Sequence, residues 1–564
     1  MIQRLRLPTC LLTPILVIVF ALSVSAQTES DYITSGNTAL NAGNYDQAIA
    51  YYNSALGVNP SSAVGYYNRG LAYDKKRNYD QAIADYTRSL QYDPNYARAY
   101  SNRCAIYVDR DDDERAIADC TKAIQLDATN AYTFNSRGMA YYHKKSYDLA
   151  IADLTKAIQI DPKFAAAYEN RGNAYDDKGS FDLAIADYGR AIAANPNGAL
   201  VYYNRGLAYY RKQKYDLALP DYNRSLELNP NYAAAYEDRS HIYYSRDNYD
   251  LAIADASKAI QLDSTRSNAY YYRGMSYRKK GKYAEAITDM TRVLELVPTY
   301  TTGNYERGVA EYLAGKYPDA VTDLTKYLGK FPDDVDALYN RGRAYRRSGN
   351  ADQAIADLTK AVQADPKAEN AYWERSLAYT DVGKYDLSIM DINKTVELNP
   401  KTVNAPYMRG WTYLFMNKGD LAYEQATTYL ELNGLKGSSA PYAIIVGYIG
   451  LRKAGKAVAA KAFLGKWLPQ VAADDWTTKV MKFFHGDLTS AQLLAAADTN
   501  DLLTEAHAYI GESQVLAGTP VPAKVHFNWV KDNGNINFVE HDLAMSELNR
   551  PAAATRAPGP RKRP

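Results

Sequence analysis

Apolar and small residues recur at spacings of four and three along the chain, break, and recur again. In residues 165–198, Tyr168, Gly172 and Tyr175 share one face of a predicted helix, and Ala184, Tyr188 and Ala191 share one face of a second. Lys178-Gly179-Ser180 separates the two, and Asp182 is the expected cap of the second helix. Asn195-Pro196 ends it, because a residue before proline is biased away from the α region. The pattern predicts two antiparallel helices. It returns every 34 residues: Tyr66-Tyr67-Asn68-Arg69-Gly70-Leu71-Ala72-Tyr73 reappears as Tyr202–Tyr209, and an arginine stands at 69, 103, 137, 171, 205, 239, 273, 307, 341, 375 and 409. A frame opening at Glu29 holds twelve repeats and closes at Lys436. One helix pair cannot bury its apolar stripe alone, so the expected fold is all-α, with neighbouring pairs stacked into a solenoid.

The charges keep the same register. Position 7 is Arg in repeats 2 to 12, and position 23 is Asp in repeats 2 to 11, from Asp85 to Asp391. In a hairpin turning near position 16 these positions lie opposite each other, which predicts an Arg–Asp ladder; the other reading is an arginine row for anionic ligands. Cys104 and Cys120 occupy positions 8 and 24 of repeat 3. They are either a disulfide across that hairpin or two buried thiols.

With Tyr168, Gly172, Tyr175, Ala184, Tyr188, Ala191 and Pro196 at positions 4, 8, 11, 20, 24, 27 and 32, residues 29–436 resemble the tetratricopeptide repeat (TPR) family. Departures are local: Ser35 replaces the arginine in repeat 1, Glu311 and Tyr327 stand at positions 11 and 27 of repeat 9, and Gly434 replaces proline in repeat 12. The resemblance implies a right-handed superhelix of about twelve helix-turn-helix repeats, with first-helix positions 2, 5, 6, 9, 12 and 13 on the concave face. It places there Asn68, Asn102, Asn170, Asn204 and Asn340 at position 6, and Tyr67, Tyr203, Tyr271, Tyr305, Tyr339, Trp373 and Tyr407 at position 5. An amide offers donor and acceptor together and suits a peptide backbone; rigid aromatic rings offer stacking surface. A similar asparagine ladder grips extended polypeptides in the TPR half of O-linked glycosyltransferases. The alternative is a wettable face without a ligand. No lysine occupies position 5, which argues against the carboxylate clamp of chaperone-binding TPR domains.

Residues 1–26 read as a secretory signal peptide, with Arg4 and Arg6 before an apolar run and Val24-Ser25-Ala26 as cleavage site; the alternative is a single membrane anchor. Residues 437–549 read as a helical C-terminal cap. Asp475-Trp476, Phe483-Phe484-His485-Gly486-Asp487, Glu505-Ala506, Tyr509, Gly511-Glu512 and Glu540-His541-Asp542-Leu543-Ala544 are similar to the C-terminal segment of proteobacterial TPR adaptors of the "new lipoprotein I" type. Residues 550–564, rich in Pro, Ala and Arg, read as a disordered basic tail.

Composition narrows the function. Sixty-six Lys+Arg against 64 Asp+Glu leave a net charge of +2, and removal of residues 1–26 takes away two arginines and no acid, so a nucleic-acid partner is not expected. The 53 tyrosines against 11 phenylalanines follow from one motif copied many times. No nucleotide loop, nucleophile elbow or zinc signature occurs, so no enzyme, metal or cofactor is expected. The expected protein is an exported, periplasmic or secreted scaffold or adaptor that binds protein or extended peptide partners, envelope proteases or hydrolases among them, without membrane contact once the signal is removed. The alternative is a structural envelope organiser that touches cell-wall polymer or membrane through its outer surface or tail.

Overall fold

The computed structural model describes residues 27–435, 439–471 and 475–550. The expected signal peptide, and the tail beyond Arg550, lie outside the described residues. Among the described residues there are 31 α-helices, one short 3-10 turn and no strand. The chain divides into two compact bodies, one running through Asp238 and one from Arg239.

In both bodies consecutive helices form antiparallel pairs. Repeat 5 is typical: Ala165–Asp177 is its first helix and Phe181–Ala194 its second. Position 15 closes the first helix with a left-handed backbone, φ between +57° and +78° at all twelve positions. Glycine takes this conformation freely at Gly43, Gly179, Gly281, Gly315, Gly349 and Gly383; Arg77, Asp111, Lys145, Gln213, Asp247 and Asn417 adopt it at a cost of about 1 kcal/mol. The turn lets the next amide reach back to a helix-terminal carbonyl, as in Ser180 N–H to Tyr175 C=O at 2.8 Å. Asp182 is not the cap expected from sequence. Ser180 holds that place without a side-chain cap bond, and Asp182 lies in the first turn. There its carboxylate complements the helix dipole and accepts from Lys212 Nζ at 2.6 Å.

In most repeats the hairpin is packed by a small residue at position 8 beneath a large one at position 24; repeats 7 and 12 carry Ala256 and Ala426 there instead. A Cβ on Gly172 would stand 2.7 Å from Tyr188 Cε1, and Gly70–Tyr86 and Gly206–Tyr222 meet in the same way. Repeat 3 uses these two positions for Cys104 and Cys120, which are joined as a disulfide with their Cα atoms 5.5 Å apart.

The Arg–Asp ladder runs through both bodies. In repeats 2 to 11 arginine Nε and Nη2 donate to the two carboxylate oxygens of position 23, at 2.5–3.0 Å. Nη1 reaches back to the preceding repeat, to Asn53, Thr87, Thr121, Thr155, Ser257, Thr291, Thr325 or Thr359. The planar fork thus ties a hairpin together and also fixes its step to its neighbour. In repeat 12 Gln425 replaces the aspartate, and both Arg409 Nε and Gln425 Oε1 are buried without a partner among the described residues.

Beyond repeat 12 the helices Ser439–Lys453, Ala457–Trp467, Trp476–His485, Ser490–Ala495, Asn500–Leu516, Pro520–Asn533 and Val539–Leu548 follow. They bury Ile444, Ile445, Val480, Met481, Phe484, Tyr509 and Leu543 in one core with Trp411, Leu414 and Phe415 of the twelfth hairpin. The apolar face that a last repeat would expose is covered in this way.

Candidate functional site

The first helices of each body present positions 5, 6, 9, 12 and 13 side by side, and their side chains are bonded between repeats. The recurring separation is 35 residues: a group on one repeat meets a group one position further along the next. Asn102 Nδ2 donates to Tyr67 Oη at 3.2 Å, Asn170 Nδ2 to Asn135 Oδ1 at 3.0 Å, and Tyr203 Oη to Asp238 Oδ2 at 2.9 Å. Asn204 Nδ2 donates to Asn173 Oδ1 at 3.2 Å, an oxygen that also accepts from Tyr188 Oη. Asn340 Nδ2 donates to the Asp336 carbonyl at 2.8 Å and to Tyr305 Oη at 3.4 Å.

Burial divides the five asparagines. Asn68 and Asn340 are each 9% exposed, whereas Asn102, Asn170 and Asn204 are partly open. The three open amides all lie in the first body.

The aromatic residues are half-buried and packed on one another. Tyr67 meets Tyr96 edge-on at 4.8 Å and Tyr86 at 5.8 Å; Tyr203 repeats this with Tyr232 at 4.7 Å and Tyr222 at 5.8 Å. Tyr271 packs on Tyr300 at 5.6 Å, and Tyr305 on Tyr327 at 5.1 Å. Tyr339 lies 5.1 Å beneath the Arg343 guanidinium, and Trp373 packs against Ile392, Ala405 and Met408. Tyr407 does not belong to this row: it packs on Trp411 and Tyr429 in the core that the C-terminal helices close.

Sequence reasoning missed the charged members of this face. In the first body Arg211 pairs with Asp176, and Tyr142 Oη donates to Asp177 at 2.7 Å. Burial raises the carboxyls of Asp74, Glu169 and Asp176 above their ordinary range, and Arg211 partly offsets this for Asp176. In the second body Arg278 pairs with Glu306 at 3.1 Å, and Arg346 reaches Glu374 at 3.4 Å and Asp381 at 3.5 Å. The 35-residue step between repeats, applied to positions 12 and 13, would have found the Asp176 and Asp177 pairs.

A second buried cluster lies among the C-terminal helices. Trp476 Nε1 and Tyr442 Oη donate to Glu505 at 2.7 and 3.1 Å, and Tyr509 Oη donates to Glu540 at 2.5 Å. Burial and the neighbouring Glu540 push Glu505 up to about 8; burial pushes Glu540 up to about 7. Lys453 sits between Glu512 and Glu547, at 2.8 and 2.6 Å. Among the described residues no group of three or more His, Cys, Asp or Glu is placed to hold a metal, and no helix is long and apolar enough to cross a membrane.

Stacked antiparallel hairpins, an intra-repeat Arg–Asp fork and a polar-aromatic first-helix face in each body define a helical-repeat protein of the kind that binds other proteins. The chain belongs to the tetratricopeptide repeat family. Profiles described as "Tetratricopeptide repeat" match residues 33–76, 305–369 and 339–407, 63–96 and 199–232, 233–266, and 267–300; one described as "TPR repeat" matches 138–179 and 172–213. Curated protein sequences give no match. Among solved structures the chain is similar to YrrB, titled a TPR protein with an unusual peptide-binding site, at 23% identity over 33% of this chain and 95% of that one, with a TM-score of 0.30. It is also similar to the Cut9–Hcn1 hetero-tetramer of the APC/C, at 14% identity over 75% and 96% with a TM-score of 0.37. A TPR protein from Parabacteroides merdae shares 20% identity over 44% and 98%, with a TM-score of 0.32.

Proposed function

We propose that the chain is a binding scaffold that takes an extended segment of a partner protein along its first-helix face, and that it acts by capture rather than catalysis. The observation that carries this is the row of open amides in the first body. Asn102, Asn170 and Asn204 are each oriented by a bond from Nδ2 to an adjacent repeat, yet stay partly exposed. A side-chain amide held in this way meets a peptide backbone without paying for its own ordering.

The scaffold is exported, with residues 1–26 removed, and works as an adaptor in the periplasm, where envelope proteases and hydrolases are its partners. The Cys104–Cys120 disulfide supports an oxidising compartment. The C-terminal likeness to adaptors of the "new lipoprotein I" type supports the partner class.

The test is affinity capture from envelope extract, comparing the full chain with its N102A/N170A/N204A variant. The variant is expected to keep its circular dichroism and to lose at least tenfold of the captured partners. Equal capture by both proteins would remove this face as the site.

A further inference from the structure

The charges on the first-helix face differ between the two bodies. In repeats 2 to 6, positions 5, 6, 9, 12 and 13 carry Asp74, Asp109, Glu169, Asp176 and Asp177 against Lys75 and Arg211. In repeats 8 to 11 the same positions carry five arginines or lysines against three acids. The whole chain has a net charge of +2, so the acidic excess is local to the first body.

Three of these carboxylates have no ion-pair partner among the described residues. Glu169 is half-buried and makes no hydrogen bond or ion pair there; burial raises its carboxyl, and no neighbouring charge offsets this. Asp74 and Asp109 stand at the two ends of the 35-residue step between neighbouring repeats. Elsewhere that step joins an acid to a base, Asp176 to Arg211 and Arg346 to Asp381. Between repeats 2 and 3 it brings two acids within reach of each other's charge. Burial raises Asp74 most, Lys75 offsets part of this, and Asp109 raises it further. Asp176 is half satisfied. It is 8% exposed, its Oδ2 meets Arg211, and its Oδ1 is buried without a hydrogen-bond partner among the described residues. The charge of Arg98, at position 2, acts on Tyr67 and Tyr96.

A carboxylate drawn out of water without a counter-charge is destabilising, and a partner that supplies the cation offsets this on binding. Glu169 precedes Asn170 on the same helix, so a backbone held at that amide puts its own side chains within reach of the carboxylate. We propose, resting on the scaffold reading above, that the segment taken by the first body is cationic: its lysine or arginine side chains meet Asp74 with Asp109, Glu169 and Asp176, while Asn102, Asn170 and Asn204 hold its backbone.

The test uses the full chain and three synthetic ten-residue peptides, capped at both ends, in which serine alternates with lysine, glutamine or glutamate. Binding is followed by fluorescence anisotropy at about 0.15 M salt, where long-range attraction between exposed charges is screened. The lysine peptide is expected to bind about tenfold more tightly than the glutamine peptide, and the glutamate peptide more weakly than either. The variant D74N/D109N/E169Q is expected to hold the lysine peptide no better than the glutamine one. The variant E114Q/D148N/D182N removes as many charges from exposed second-helix positions, and is expected to bind as the unmodified chain does. Equal affinity for lysine and glutamine peptides would overturn the proposal, and so would an equal loss in the two variants, which would mean attraction to overall charge. The two readings fail separately. Lysine and glutamine peptides bound alike, and both lost from N102A/N170A/N204A, would overturn the cationic partner and keep the scaffold. A lysine preference undiminished in N102A/N170A/N204A would keep the cationic partner and remove the amides.

Discussion

At the scale of single residues, the position-7 arginine does more than its sequence register implied. The repeat made its aspartate partner predictable, because two opposite charges in phase across a hairpin have few other arrangements. The third contact, from Nη1 to position 25 of the preceding repeat, was not legible, since it depends on how far each hairpin steps against the next. Repeat 12 breaks the pattern and supplies a prediction. Arg409 Nε and Gln425 Oε1 are both buried without partners among the described residues, and burial lowers the Arg409 guanidinium below its ordinary value. Gln425→Asp restores the fork and should raise stability by about 1 kcal/mol, measured as a higher thermal midpoint. A lower midpoint would show that the carboxylate cannot reach Arg409. The left-handed residues at position 15 were half legible. Gly179 announced a helix stop, but Arg77, Lys145 and Gln213 adopt the same backbone because packing of the two helices requires the same turn.

At the scale of the element, repeat 3 replaces a packing device with a covalent one. In eight of the other repeats glycine at position 8 admits a large side chain from position 24; here Cys104 and Cys120 meet at those places. Sequence left the bridge and two free thiols as equal alternatives, because spacing alone does not give a Cα separation, and the packed hairpin brings these Cα atoms to 5.5 Å. The bond closes a loop spanning 16 positions, worth about 3 kcal/mol in the chain-entropy treatment. Reduction should therefore lower the denaturant midpoint, and thiol titration of denatured, unreduced protein should find neither cysteine free. Two reactive thiols would refute the bridge. The same limit explains the misplaced cap. Asp182 has a capping residue's chemistry, but the turn ends at Ser180, and the carboxylate serves the next repeat through Lys212.

At the scale of the whole molecule, stability is set by two kinds of region. The repeats are held by local, recurring contacts, so their contributions accumulate from neighbour to neighbour. The C-terminal helices instead depend on buried titrating groups. Glu505 and Glu540 hold their protons more tightly in the fold than in the unfolded chain, where glutamate titrates near about 4.3. Their contribution is whole below that value and is lost as pH rises through about 7 and 8. His507 has the opposite effect. Burial, and then His526, push it down to about 4, so its neutral form favours the fold above about 6.5, and that contribution is lost as pH falls towards 4. Corrected for the base-catalysed intrinsic rate, hydrogen-exchange protection of the amides in Asn500–Leu516 should therefore be greatest near pH 4.5 and fall towards pH 8.5, with His507 offsetting part of the fall below about 6.5. Glu505→Gln should make this fall with pH shallower; an unchanged fall would mean that Glu505 is not its source.

The amino-acid sequence by itself determined the period, the helix pairs, the Arg–Asp register and the family, because each is a local rule repeated often enough to stand above chance. It also named the asparagines and tyrosines of the first-helix face. Only the tertiary structure decided which of these stay open. Asn68 and Asn340 are buried while Asn102, Asn170 and Asn204 are not, and Tyr407 is taken into the C-terminal core. A repeat pattern reports what lies on a face; burial of that face is set by neighbours distant in sequence, and no period encodes them.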